Sequence, residues 1–245
     1  MTSIKTDRTD TAQLRAAIAG LISHAAEAER RLLDLDEDAS RASPGDLEEG
    51  SAQRWAAAPL VAHNTEFKRQ QVTRLEAILN GSTPPTYAEA DHHNEEYYRV
   101  CSRQTAPQVA AASAEISAAL LAGLEAVSDD DLLDPSRHPW LRGRMLSLQI
   151  VVRGFWHPLG HLADYYVQHD QVDKALELQS AALVEAERPG VPDAVRGMAH
   201  YSVACVQVGI DADAATASLT RAVELNPDLI ANIRRDAELA RLLNP

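Results

Sequence analysis

The stretch WAAAPLVAHNTEFKRQQVTRLEAILNG, residues 55–81, decides the fold. Leu60, Val61, Phe67, Val72, Leu75 and Ile78 recur at helical spacing and predict an amphipathic helix over Ala57–Leu79. Gly81 then acts as a stop, since glycine enters the left-handed region without a steric penalty. His63 lies near the start of this helix, and Glu66 follows one turn later.

Similar patterns flank it. Leu14, Ala17, Ile18, Leu21, Ile22, Ala25, Leu32 and Leu33 predict a helix over residues 10–36, and VAAASAEISAALLAGLEAV another over 106–127. Residues 37–53 are polar around Pro44-Gly45 and read as a loop. Pro84 and Pro85 break the chain before TYAEADHHNEEYYRVCSRQ, which has room for one or two helical turns. Residues 129–139 form a second polar break, and a fourth helix runs from near Trp140 to about Gln168. No β-branched alternation is present, so the fold class is all-α, with a four-helix bundle over residues 1–170.

Residues 171–245 have another character. LADYYVQHDQVDKALELQSAALVEAE and AHYSVACVQVGIDADAATASLTRAVELNPDL each read as helix, tight turn, helix. Small residues at packing positions (Ala163, Ala175, Ala199, Ala214) and the ending AVELNPDL resemble tetratricopeptide repeats. Residues 230–245 predict a capping helix.

Composition narrows the function. A net charge of −13 argues against a nucleic-acid groove, which needs clustered Lys and Arg. Aromatics at 4%, against many alanines and leucines, point to closely packed helices. Cys101 and Cys205 are in no redox or metal spacing, the N-terminus lacks a signal-peptide core, and no apolar run suggests a membrane span. The expectation is a cytoplasmic protein with no nucleic-acid or membrane partner. Neither a GxSxG nucleophile turn nor a glycine-rich phosphate loop is present.

The chemistry concentrates in FWHPLGHLADYY, residues 155–166. A spacing of four puts His157 and His161 on one helical face, among the apolar Phe155, Trp156, Leu159 and Leu162. His63 can add a third imidazole from across the bundle, and three neutral imidazoles with an open position are a common catalytic metal arrangement. Two buried histidines held by backbone or carboxylate partners are the alternative. Pro158 implies a kink or a restart of the helix. His92 and His93 read as part of a solvated helix start, and Tyr97, Tyr98 and Tyr165 as pocket or surface residues.

The order of these segments, WAAAPLVAHNTEFKRQQVTRLEAILNG, then TPPTYAEADHHNEEYYRV, then a long alanine-leucine helix ending in VSDDDLLDP, resembles the DinB-like superfamily over roughly residues 10–170. Those proteins are four-helix bundles, often dimeric, so the resemblance implies a homodimer. It also implies a divalent metal, zinc or nickel first, held by His63, His157 and His161. HPWLRGRMLSLQ and ADHHNEEYY are closest to the ClbS/DfsB branch, which includes colibactin self-resistance hydrolases. Retention of all three histidines favours a metal-using relative of that branch.

The expected function is detoxification of an electrophilic small molecule by metal-dependent hydrolysis. Glu66 is the candidate base or partner of a ligand, and Arg153, one turn before His157, would steady an anionic group. Two alternatives are transfer or isomerisation with a low-molecular-weight thiol on the same metal, and a non-catalytic scaffold whose repeats bind a protein partner.

Overall fold

The structure, a computed structural model, describes residues 8–35, 55–87 and 103–243. The expected loop at 37–53 lies outside the described residues, as do His92, His93, Tyr97, Tyr98 and Cys101. Among the described residues the chain is helical throughout, with no strand.

Three long helices come first: α1 (Arg8–Leu35), α2 (Ala57–Leu79) and α3 (Ala106–Ala126). Helix α2 has the bounds the sequence predicts. It ends in a Schellman arrangement, with Ser82 N–H on the Ala77 carbonyl at 2.8 Å, Gly81 N–H on Ile78 at 3.0 Å, and Gly81 at φ 66°. The polar break at 129–139 is more ordered than its composition suggests. It holds a short helix α4 (Asp129–Leu133), capped by the Ser128 hydroxyl and carrying three aspartates in its first turn, and a 3₁₀ turn at Pro139–Leu141. Arg15 ties this region to α1 by donating to the Leu124 and Val127 carbonyls and pairing with Asp129 at 2.7 Å.

The fourth bundle helix is composite: α5 (Leu146–Val151), a π-helical turn at Val152–Trp156, and α6 (His157–Gln168). Pro158 has no N–H for the Gly154 carbonyl and its ring crowds that oxygen. The chain widens by one residue instead of breaking, and His157 N–H reaches back to the Val152 carbonyl. Trp156 and His157 keep right-handed helical dihedrals, so the helix continues through the proline. Gly154 permits the close approach: a Cβ there would lie 2.8 Å from Ile22 Cγ1 and 2.9 Å from Leu120 Cδ2.

Helices α1 and α2 pack on each other, on α3 and on the composite helix. Ile22, Leu75, Leu120, Ile150 and Phe155 meet in the core, and full burial of each such side chain stabilises by roughly 1.5–3 kcal/mol. The chain then turns at Asp170, at φ 58°, into α7 (Val172–Ala186), followed by α8 (Asp193–Gln207) and α9 (Ala212–Leu225). Both expected hairpins, α6/α7 and α8/α9, are present. The expected terminal helix is split into α10 (Ile230–Ile233) and α11 (Ala237–Leu243). Ala182 and Ala186 of α7 and Val195 and Ala199 of α8 belong to the same apolar cluster as Ile22 and Phe155. The C-terminal hairpins therefore extend the bundle core.

One buried feature was not read from the sequence. Lys68 and Glu29, both fully buried, pair at 2.6 Å between α2 and α1. Ser113 and Ser117 of α3 lie 3.3 and 3.1 Å from the ammonium, and Ser113 also donates to Glu29 at 2.8 Å. Helix α3 itself is long and apolar enough to cross a membrane, contrary to the sequence reading. Its Ile116, Leu120 and Leu124 pack into the bundle, which accounts for their apolar character.

Candidate metal centre

Two helical stripes face one another. On α2, His63, Phe67 and Arg74 follow at intervals of four and seven residues, and on the composite helix Arg153, His157 and His161 follow at intervals of four. These spacings keep each set on one face. The packing of α2 on the composite helix brings the three imidazoles together, one nitrogen from each lying within 4.8 Å of the others.

Ring centroids are 4.4 Å apart for His157 and His161, 5.0 Å for His63 and His161, and 5.5 Å for His63 and His157. Aromatic rings hold this geometry. Phe67 stacks on His157 at 4.3 Å and lies 4.7 Å from His63, and Trp55 meets His63 edge-on at 5.2 Å. The Nε2 of His157 is buried with no hydrogen-bond partner among the described residues.

Burial holds all three imidazoles neutral at pH 7. It is the main cause pushing His63 down to about 3, with His161 and Arg153 adding to it. It pushes His157 down to about 2, with His161, His63 and Arg153 adding, and it lowers His161 as well. Neutral imidazole is the form that coordinates a metal. The donor set, its spacing and the unsatisfied His157 nitrogen all fit a divalent ion with three nitrogen ligands.

A cavity of about 250 Å³ opens on one side of the imidazoles, lined by His63, His161, Trp55, Asp164, Tyr165 and Gln168. Asp164 stands at its mouth in contact with solvent, yet the surrounding protein raises its carboxyl pKa by desolvation. The Arg153 guanidinium lies over the Phe67 ring that stacks on His157, with Cζ 4.7 Å from the ring centroid. Its pKa falls to about 10, through burial first and then the charges of Arg74 and Arg144. Gln71, fully buried on α2, has neither amide atom hydrogen-bonded within the described residues.

The structure thus brings together His63, His157 and His161, with Arg153 one ring removed. Glu66 is elsewhere: half-exposed, it pairs with Arg69 at 3.3 Å and does not line the cavity. Asp164, Trp55, Arg74 and Gln71 were missed in the sequence. Asp164, three residues beyond His161, and Gln71 and Arg74, four and seven beyond Phe67, left the signal of helical spacing on the faces that carry the histidines.

No curated protein and no solved structure matches the chain. The family model described as the DinB superfamily matches residues 20–171, a span that holds all three histidines and ends at the turn after α6. The chain belongs to the DinB superfamily.

Proposed function

We propose that His63, His157 and His161 hold a divalent metal ion, zinc or nickel first, and that the protein hydrolyses a reactive electrophilic small molecule there. The observation that carries this reading is the convergence of three neutral, buried imidazoles within 4.8 Å. Such an ion supplies Lewis acidity and lowers the pKa of a water. Phe67 and Trp55 fix the ligand rings, and Arg153 holds an anionic part of the substrate. Asp164, at the cavity mouth, is better placed than Glu66 to exchange a proton with solvent, while Glu66 through Arg69 steadies the turn of α2 that carries His63.

A second reading is transfer or isomerisation with a low-molecular-weight thiol. It is favoured by the cavity at His63 and His161, which leaves room beside the imidazoles for a second reactant.

The test is metal content by mass spectrometry after a mild chelator wash, for the protein and His157→Ala. Near-stoichiometric metal in the first and at least a tenfold loss in the second is expected, since one ligand of three is removed. Equal metal in both, or none in either after refilling, removes the centre. Turnover of electrophiles without added thiol then separates hydrolysis from transfer.

A further inference from the structure

Along α2 and the composite helix lie two arginines that each carry a buried donor nitrogen with no acceptor among the described residues. Arg74 is 7% exposed. Its guanidinium carbon sits 4.9 Å from the centroid of Tyr87 and 5.0 Å from that of Trp140, so aromatic rings cover it. Its Nε makes one long bond, 3.4 Å, to the Pro85 carbonyl, and its Nη1 is buried with no partner among the described residues. Arg153 is in the same state, one face over Phe67 and its Nε buried without an acceptor. The Nε1 of Trp140 is a third buried donor with none.

The ring contacts satisfy the guanidinium faces. They leave Arg74 Nη1 and Arg153 Nε unsatisfied among the described residues. Unmade bonds from buried donors are expensive, more so when the donor is charged. The two arginines also repel, since the Arg74 charge lowers the pKa of Arg153, and exposed Arg144 adds a third positive charge. No carboxylate among the described residues pairs with Arg74 or Arg153. An arginine edge matches an oxyanion in a planar, bidentate fashion, and clamping by aromatic rings pre-orients it.

We propose that Arg74, Arg153 and the Trp140 indole N–H form a subsite for an oxyanion group of the substrate, a carboxylate or a phosphate, next to the histidine centre. The subsite deepens the reading above and rests on it for the reacting end of the molecule. Arg74 is seven residues beyond Phe67, about 10 Å along α2. The substrate class is therefore a small anionic molecule whose electrophilic atom lies a short chain away from its charge.

Binding of sodium malonate and of sodium phosphate is measured by titration calorimetry and by thermal melting, against sodium chloride at matched ionic strength. The proteins are the wild type, Arg74→Met, Arg153→Met and His157→Ala. Methionine keeps much of the stem volume and removes charge and donors. The expected result is binding and a rise in Tm with at least one anion in the wild type and in His157→Ala, weakened at least tenfold in both arginine variants. Arg74→Lys, which keeps charge without the fork, replaces Arg74→Met if that variant does not fold, and is expected to weaken binding by a similar factor. A response to malonate alone assigns a carboxylate, and to phosphate alone a phosphate. Binding lost in His157→Ala but kept in the arginine variants makes the anion a metal ligand and overturns the subsite while leaving the centre intact. No binding in any of the proteins overturns it outright. Metal content unchanged in the arginine variants keeps the two readings separate.

Discussion

Neutral imidazoles at the centre make acid sensitivity a property of individual residues. In the unfolded chain His63 and His157 titrate near 6.5, whereas in the folded protein burial holds them near 3 and 2. Below 6.5 the unfolded chain takes up protons that the native state refuses, so the stability these groups contribute is present above that pH and lost as pH falls toward 3. Each contributes a slope of up to about 1.4 kcal/mol per pH unit. Urea midpoints in the presence of chelator should drop between pH 7 and 5, and His157→Gln should flatten the dependence. Identical slopes for the two proteins would show that His157 is not held neutral. The pair itself was legible because i,i+4 spacing among apolar neighbours leaves few other readings. Lys68, Glu29 and Arg74 were not, because a charged side chain on a helix ordinarily faces water and its burial depends on a partner from a distant segment. For Lys68 that partner is 39 residues away, on α1.

At the level of the element, α2 was readable to the residue because its apolar rhythm and Gly81 are both local signals. The composite helix was readable at its end, Gln168, but not in form or at its start, which lies at Leu146 and not near Trp140 because the chain makes a separate 3₁₀ turn at Pro139–Leu141. A proline announces a disturbance, and only the packing of Gly154 against Ile22 and Leu120 determines that a π turn absorbs it. That turn sets the rotation of Arg153 relative to His157. Gly154→Ala puts a methyl group into side chains of α1 and α3, so it should destabilise by about 1–3 kcal/mol. It should also weaken metal retention, as the helix carrying two ligands is pushed from α1. Chemical denaturation and metal content together check this, and a variant as stable as the wild type with full metal removes the close packing as a constraint. The break at 129–139 hid α4 because polar composition and a capped acidic turn look alike without the Ser128 bond to Asp131.

Across the whole molecule, the C-terminal hairpins and the bundle share one core. Trp156, on the π turn, donates its indole N–H to Ser202 of α8 at 2.8 Å, and Gln179 of α7 donates to the Leu159 carbonyl at 2.9 Å. Both bonds brace the helix that holds His157 and His161. A chain ending after residue 171 would uncover the apolar surface that Ala182, Ala186, Val195 and Ala199 now cover. It should be insoluble or melt well below the full chain, by light scattering and calorimetry; a soluble piece with the same Tm and metal content would show that the hairpins are independent. The change of pattern near 170 suggests a boundary, and one apolar cluster runs across it. The shared core was not legible, since alanine at a packing position does not say what it packs against.

The placement of the tryptophans has a practical result. There are three: Trp55 lies edge-on to His63, Trp140 covers Arg74, and Trp156 turns toward Ser202 of α8. Two of the three indoles therefore emit from beside the candidate chemistry. Quenching by a paramagnetic ion, or a change in emission on filling the arginine side, reports on occupancy directly, with no label attached and no substrate yet in hand.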